Sequence, residues 1–387
     1  MTLALLHLHL AQAGRSLQRA RNNNYSDQEK QIYHAKLTAL YEALVQSVNS
    51  QSNLSEQFIF DAKRVLDFIY KSLEFLDSST LNLIPYEIVE CLKSALNDWV
   101  LPSENYIIVT SLINEISGFS FDPSLIQVDK IYDSFRQIYK VDFESRLVQI
   151  NIPRALSRDY LASAVHYHEL GHFVDGKFSI TASLTNYLIN NWITLPPTDS
   201  QNAHLPNFFP FLIDIQYSNE KKRELLHFHL GEYFCDLFAS QYVGQSLNSY
   251  LMYITASQNM YSGTHPASTL RFQVVADFVN GHPNVVIEFI NFALDQILNK
   301  QLDIRYEKMP ADDLYNFLPL IIQNERQLHG LIPLAWDVWQ GDWTPFQKNM
   351  NMGELPKPDR IYTVLNSLIE KSIGNYIVVN KWTNLPT

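Results

Sequence analysis

The chain has few of the features that mark specialised classes of protein. It has 2 cysteines among 387 residues, Cys91 and Cys235, which excludes a disulfide framework and fits a reducing compartment. No apolar run approaches the roughly 18 residues that a membrane-spanning helix needs. Basic residues number 29 against 40 acidic ones and form no cluster, which argues against nucleic-acid or anionic-membrane binding. With 46% hydrophobic residues and no low-complexity stretch, we expect a globular, cytoplasmic protein.

The first residues resemble a leader peptide in some respects. Leu3 to Leu10 is apolar, and Ala11-Gln12-Ala13 is similar to a signal-peptidase site. However, His7 and His9 interrupt the apolar stretch, and no basic residue precedes it. We therefore expect a folded amphipathic helix rather than a signal peptide, with a stripe at three- and four-residue steps formed by Leu3, Leu6, Leu10, Ala13 and Leu17.

The hydrophobic pattern predicts a mainly α chain with a small β component. Helical stripes fill residues 1–102 and 283–387, and we expect a catalytic core over 103–282 between them. β-Branched and alternating runs predict strands at Tyr106–Thr110, Ile116–Phe121 and Leu147–Ile152. The last strand precedes the motif described next. It is either an edge strand that pairs with an extended peptide or an internal strand that binds nothing.

The motif with the clearest chemistry is His168-Glu169-Leu170-Gly171-His172. On a helix, two histidines four residues apart lie on one face, so both imidazoles can bind one zinc ion. Glu169 projects to the side, where it can take a proton from a metal-bound water without binding the metal. Ser157 as N-cap and Gly176 as C-terminal stop predict a helix from Ser157 to Asp175.

A catalytic zinc site needs a third protein ligand and an open position for water. The candidate is Glu232, on a predicted helix over Leu225–Val243 with apolar neighbours that make a buried carboxylate costly without a cation. Asp236, one turn later, can accept the free ring N–H of a ligating histidine. Cys235 is more simply a small buried residue, while His229, three positions before Glu232, is close enough to approach the site.

A proline-rich stretch, Leu195–Pro210, separates the two predicted site helices. So long a loop either covers a cleft or forms a surface excursion, and we favour the second. A metzincin pattern is excluded, because that pattern requires glycine and histidine where this chain has Asp175 and Phe178.

The order HELGH followed by Glu-x-x-x-Asp resembles the gluzincin metallopeptidases. The segment Thr264–Phe272, T-H-P-A-S-T-L-R-F, is similar to the T-H-P-x-x-x-x-R segment of the CAAX-prenyl-protease branch. The resemblance covers about 155–275, and the chain departs from that branch because it has no membrane spans. The resemblance implies a zincin-like core with one zinc ion bound by His168, His172 and Glu232, with Glu169 as general base and Asp236 as the partner of a ligand. The candidate oxyanion donors are His265, Tyr261 and Arg271. The alternative is that His265-Pro266 starts a helix whose Arg271 pairs with an acid of the fold.

The sequence thus predicts zinc-dependent hydrolysis of peptide bonds. The substrate is a peptide or protein, with neither a nucleic acid nor a membrane span involved. A regulatory protease with a narrow protein target is one form of this prediction. The alternative is a non-catalytic, zinc-stabilised binding protein whose helical flanks contact a partner. The oligomeric state is left open.

Overall fold

The structure is a computed structural model that describes residues 3–23, 25, 27–50, 54–80, 85–115, 118–122, 129–193, 205–255, 260–351 and 353–383. Within these residues the chain is mainly α-helical and has a small three-stranded sheet, as the sequence predicts. It divides into two compact units, the first formed by Met1–Val89 with Val100–Ser157 and the second by Glu90–Trp99 with Arg158–Thr387. These units group residues differently from the predicted regions 1–102, 103–282 and 283–387, and that three-part division stays a prediction.

The first unit begins with long amphipathic helices: α1 Leu3–Ala20, α2 Gln28–Asn49, α3 Glu56–Ser78 and the start of α4 Tyr86–Asn97. The predicted stripe of the first helix is confirmed, because α1 buries Leu6, Leu10, Ala13 and Leu17, while Leu3 is exposed. Side-chain caps fix two of the helix starts: Asp27 accepts the N–H of Lys30, and Ser55 accepts that of Phe58.

The sheet of the first unit has the order β1-β3-β2, with β1 Asn105–Ile113, β2 Ser120–Phe121 and β3 Ser145–Pro153. β1 runs parallel to β3 along the full length of both strands, and β2 pairs antiparallel with Asn151 and Ile150 near the end of β3. The connection includes α5 Asp129–Ser134 and a π-helical turn, Phe135–Tyr139. The strand predicted at Leu147–Ile152 is therefore the central strand, and the suggestion that it is an edge open to a peptide is wrong.

An aromatic cluster fills the core of the first unit. The ring of Phe68, on α3, lies 4.7 Å from that of Phe135, and it meets Tyr132 and Phe143 edge-on at 5.5 Å and 5.8 Å. Edge-to-face pairs of this kind contribute beyond the area they bury. The cluster joins α3 to the segment between the two parallel strands.

The second unit contains helices and irregular connections, with no strand among its described residues. Its helices are α6 Ala164–Phe178, α7 Ile180–Leu188, α8 Leu205–Phe208, α9 Asn219–Val243, α10 Ser246–Thr255, α11 Ser268–Asn280, α12 Val285–Leu298, α13 Asp312–Tyr315, α14 Glu325–Gln340, α15 Thr344–Asn349 and α16 Pro358–Thr383. α9 is the central element, since it contacts α6, α7, α10, α11 and α14 and is almost wholly buried from Leu225 onward. It begins before the predicted helix and ends, as predicted, at Gly244.

The motif helix begins and ends later than predicted. Ser157 follows the 3₁₀ turn Arg154–Leu156 and does not cap the motif helix. The next turn is fixed by Asp159, whose Oδ1 accepts two backbone N–H groups at 3.0 Å each. The helix then starts at Ala164 and continues through Gly176, because the chain leaves helical geometry only at Ser179, where φ is 54°. A glycine stops a helix when the backbone takes the left-handed conformation, and here Ser179 takes it instead.

The structure describes only part of the predicted proline-rich loop, Leu195–Pro210. Residues 195–204 of the predicted loop lie outside the described residues. Leu205–Phe208 is helical and Pro210–Leu212 forms a 3₁₀ turn, so the end of the stretch has regular structure and buries Phe209 and Phe211. Among the described residues, no helix combines the length and apolar character needed to cross a bilayer.

We expect the substitution Phe68→Ala to lower the free energy of unfolding by about 3–5 kcal/mol, because it leaves a cavity beside three other rings. Phe60→Ala is the matched control: Phe60 lies on the same helix with 58% of its surface exposed, and its loss changes stability by less than about 0.5 kcal/mol. Urea titrations of both variants give the comparison, and equal losses would contradict the assignment of the cluster as core.

Candidate metal centre

The close approach of α6 and α9 is permitted by Gly171, which faces Cys235. A Cβ atom added at Gly171 would lie 2.9 Å from the Cys235 Cα atom, closer than non-bonded carbons approach. Glycine is therefore required between the two histidines of the motif for the helices to meet at this distance. Their contact places the motif beside the carboxylates of α9.

Both motif histidines turn the same ring atom toward Glu232. The Nε2 atom of His168 lies 3.5 Å from Glu232 Oε2, and the Nε2 atom of His172 lies 3.7 Å from Oε1. The two imidazole rings are nearly perpendicular, with centroids 4.9 Å apart. Two imidazole nitrogens and the two oxygens of one carboxylate, from two helices, thus lie close together.

This spacing fits a tetrahedral zinc site. With zinc–ligand distances of about 2.0–2.2 Å, neighbouring ligand atoms are about 3.4 Å apart, close to the two nitrogen–oxygen distances observed. Among the described residues, Glu232 Oε2 is buried and has no hydrogen-bond partner. The Arg271 guanidinium lies 3.2 Å from it but also pairs with Asp236, so a second cation would lower the cost of burying both carboxylates. The donor set of two imidazoles and one carboxylate is also that of known catalytic zinc sites.

Asp236 fixes the orientation of the first histidine. Its Oδ1 atom lies 2.9 Å from His168 Nδ1 and is fully buried. Burial alone raises the pKa of Asp236, but Arg271 and the hydrogen bonds outweigh it and hold the pKa well below its usual range. An ionised carboxylate only accepts, so the proton of the neutral ring is on Nδ1 and the lone pair of Nε2 faces Glu232.

Arg271, on α11, lies between the two carboxylates of α9. Its Nε and Nη2 atoms donate to the two oxygens of Asp236, each at 2.7 Å, and its Nη1 atom is 3.2 Å from Glu232 Oε2. Burial raises the pKa of Glu232, but Arg271 and the imidazoles of the site outweigh it and lower the pKa below its usual value. Arg271 therefore keeps both carboxylates charged and is itself surrounded by them.

Cys235 is a second potential ligand from the same helix. Within the described residues, the ligand atoms of His168, His172 and Cys235 all lie within 4.8 Å of one another. Burial, followed by nearby acidic groups, raises the pKa of the Cys235 thiol well above its usual range, so without a metal it is neutral. We favour Glu232 as third ligand because it is ionised and lies within 3.7 Å of both Nε2 atoms.

Some of the remaining predicted site residues lie beside Glu232, and others contact different parts of the chain. Glu169 follows His168 on α6 and is 7% exposed. His265 reaches the site, with Nε2 3.6 Å from Glu232 Oε1 and 56% of its side chain exposed. Tyr261 packs against the rings of Phe211 and His229. The structure thus brings His265 and Arg271 to Glu232, whereas Tyr261 contacts these two rings.

Two features could not be assigned in full from the sequence. The sequence allowed Arg271 to pair with an acid of the fold, but its bidentate pairing with Asp236 depends on the packing of α11 against α9. His229 donates to the carbonyl of Ser262, a contact between residues 33 positions apart. The only sequence signal for His229 is its position one turn before Glu232.

No protein-family model, no curated protein and no solved structure matches this chain.

We expect Glu232→Gln to abolish stable zinc binding, because the substitution replaces a charged ligand by a neutral amide of the same shape. Glu224→Gln is the matched control on the same helix, where Glu224 is exposed and pairs with Lys221 at 3.0 Å. After dialysis with zinc and then buffer, elemental analysis should find one zinc per wild-type and control chain and close to none in Glu232→Gln. Full zinc occupancy in Glu232→Gln would exclude this residue as a ligand.

We expect Gly171→Ala to push α6 and α9 apart and to weaken zinc binding, with a loss of stability of about 1–3 kcal/mol. Gly231→Ala is the control on α9, since its added Cβ atom meets only Asp175 Oδ2 at 4.0 Å. Alanine is the better helix former, so this control keeps or gains stability by up to about 1 kcal/mol. Thermal unfolding with and without zinc measures the stability and the zinc binding of both variants. If both variants match the wild type, Gly171 does not determine the distance between α6 and α9.

Proposed function

We propose that the protein is a zinc-dependent peptidase that hydrolyses peptide bonds. The observation that carries the proposal is the position of the buried Glu232 carboxylate, 3.5 Å and 3.7 Å from the Nε2 atoms of the two motif histidines. Two histidines four residues apart with a glutamate after the first form the pattern that zinc peptidases use. The third ligand comes from a different helix, which is the arrangement expected of a gluzincin.

In this proposal His168, His172 and Glu232 hold one zinc ion. When bound, zinc lowers the pKa of water at the site and polarises the scissile carbonyl. Glu169 acts as the general base that removes a proton from the attacking water and then delivers it to the leaving amine. Asp236 keeps His168 in the tautomer that presents Nε2, and Arg271 holds the carboxylates of Glu232 and Asp236 in place.

His265 is the residue that we assign to the developing oxyanion. Its Nδ1 atom lies 2.7 Å from the hydroxyl of Thr264. If this hydroxyl donates, the proton of the neutral ring is on Nε2, the atom that faces the site. A positioned donor of this kind contributes roughly 10²- to 10³-fold to the rate. Arg271 is occupied by carboxylates, so we give it the task of orienting ligands instead.

We further propose a zincin-like core around α6 and α9 and a cytoplasmic location. Both cysteines are free and buried, which fits a reducing compartment. The helical flanks fit a peptidase with a narrow protein target better than one that digests peptides in general, because they provide surface beyond the site. A zinc-stabilised binding protein without turnover is the outcome that would replace this proposal.

We expect Glu169→Gln to keep its zinc and to lose activity by about 10²- to 10⁴-fold, since only proton transfer is removed. Cleavage of a proteome-derived peptide library and of intact protein extracts, read by mass spectrometry, measures this loss. The Glu224→Gln variant should cleave like the wild type. A zinc-loaded wild type that cuts neither peptides nor proteins, or a Glu169→Gln variant as active as the wild type, would refute the proposed reaction.

A further inference from the structure

A buried histidine outside the predicted ligand set joins α9 to the turn that carries His265. His229 is wholly buried and lies three residues before Glu232. Its Nε2 atom lies 3.0 Å from the backbone carbonyl oxygen of Ser262. This hydrogen bond connects the His229 ring to the turn that contains Ser262 and His265. Among the described residues, the other ring nitrogen, Nδ1, is buried and has no hydrogen-bond partner.

The protonation of His229 follows from this partner. A carbonyl oxygen only accepts, so Nε2 carries the proton and donates it. Burial lowers the pKa of His229, and the bond to Ser262 opposes this shift without cancelling it, so the ring is neutral. Phe211 contacts the ring edge-on at 5.0 Å and Tyr261 at 5.9 Å, which fixes its plane. His229 is thus a rigid donor with one orientation.

The turn that receives this bond is closed by its own hydrogen bonds. Ser262 Oγ accepts the N–H of His265 at 2.9 Å and that of Thr264 at 3.3 Å. The N–H of Ser262 donates to the carbonyl of His265 at 2.8 Å. Ser262 and His265 therefore move together, and a bond that holds Ser262 also places His265.

We infer that His229 is a positioning residue that holds the His265 imidazole over the Glu232 carboxylate. The same helix supplies both the anchor and the target: His229 fixes the turn at Ser262, and Glu232, one helical turn later, lies 3.6 Å from His265 Nε2. A helix is rigid over one turn, so the hydrogen bond from His229 to Ser262 sets the distance between the His265 imidazole and the Glu232 carboxylate. The inference rests on the proposed function for the role of His265, but the link itself exists without catalysis.

The test compares His229→Leu with His229→Gln. Leucine removes the donor and keeps an apolar side chain, whereas the glutamine amide can still donate to the Ser262 carbonyl. Hydrogen–deuterium exchange of the peptides that cover 260–267 reads the link without any activity. We expect faster exchange in His229→Leu, near wild-type exchange in His229→Gln, and unchanged zinc content in both. His227→Leu, an exposed histidine two residues earlier, should match the wild type.

Kinetics give the second measurement. We expect kcat to fall about 10²-fold in His229→Leu with little change in KM, and His229→Gln to recover most of it. Unchanged exchange and unchanged kcat in His229→Leu would overturn the inference. Loss of zinc in both variants would also overturn it, because His229 would then support the metal ligands and not the turn. If the wild type binds zinc but never turns over, the proposed reaction fails, while faster exchange in His229→Leu still establishes the link.

Discussion

The structure depends on the packing of two helices at a distance that a glycine makes possible. Gly171 meets the backbone of Cys235, and that contact sets how far the motif histidines of α6 lie from the carboxylates of α9. A larger residue at this position would separate the nitrogen and oxygen atoms that now lie 3.5 Å and 3.7 Å apart. The affinity of the proposed metal site would therefore depend on the same helix interface that stabilises the second unit.

Charge balance explains why the buried acids are tolerated. Glu232 and Asp236 are both buried in a helix whose other neighbours are apolar, and Arg271 is the cation that the chain itself supplies. One guanidinium cannot neutralise two carboxylates, so a negative charge remains beside the two imidazoles. A divalent ion would remove this imbalance and would leave Arg271 to orient its neighbours. This charge balance is the physical argument for the proposed metal.

The sequence predicts which side chains lie together better than it predicts helix boundaries. Spacing on a helix indicated that His168 and His172 share one face, and the apolar neighbours of Glu232 singled out that carboxylate. The helix ends were misplaced, since Ser157 and Gly176 have the local features of caps, whereas the helix starts after Ser163 and ends at Ser179. Strand β1 was recognisable from its β-branched and aromatic residues and β3 from its alternation, but their parallel pairing joins residues 40 positions apart. Long-range pairing of this kind leaves no local signal.

The most direct measurement is anomalous diffraction at the zinc edge from crystals grown with zinc. The account predicts a single peak about 2.0–2.2 Å from His168 Nε2, His172 Nε2 and a carboxylate oxygen of Glu232. It also predicts that Asp236 and Arg271 keep their present bonds and that no fourth protein atom fills the coordination sphere. No peak between the helices, or a peak bound by the sulfur of Cys235 in place of Glu232, would contradict it.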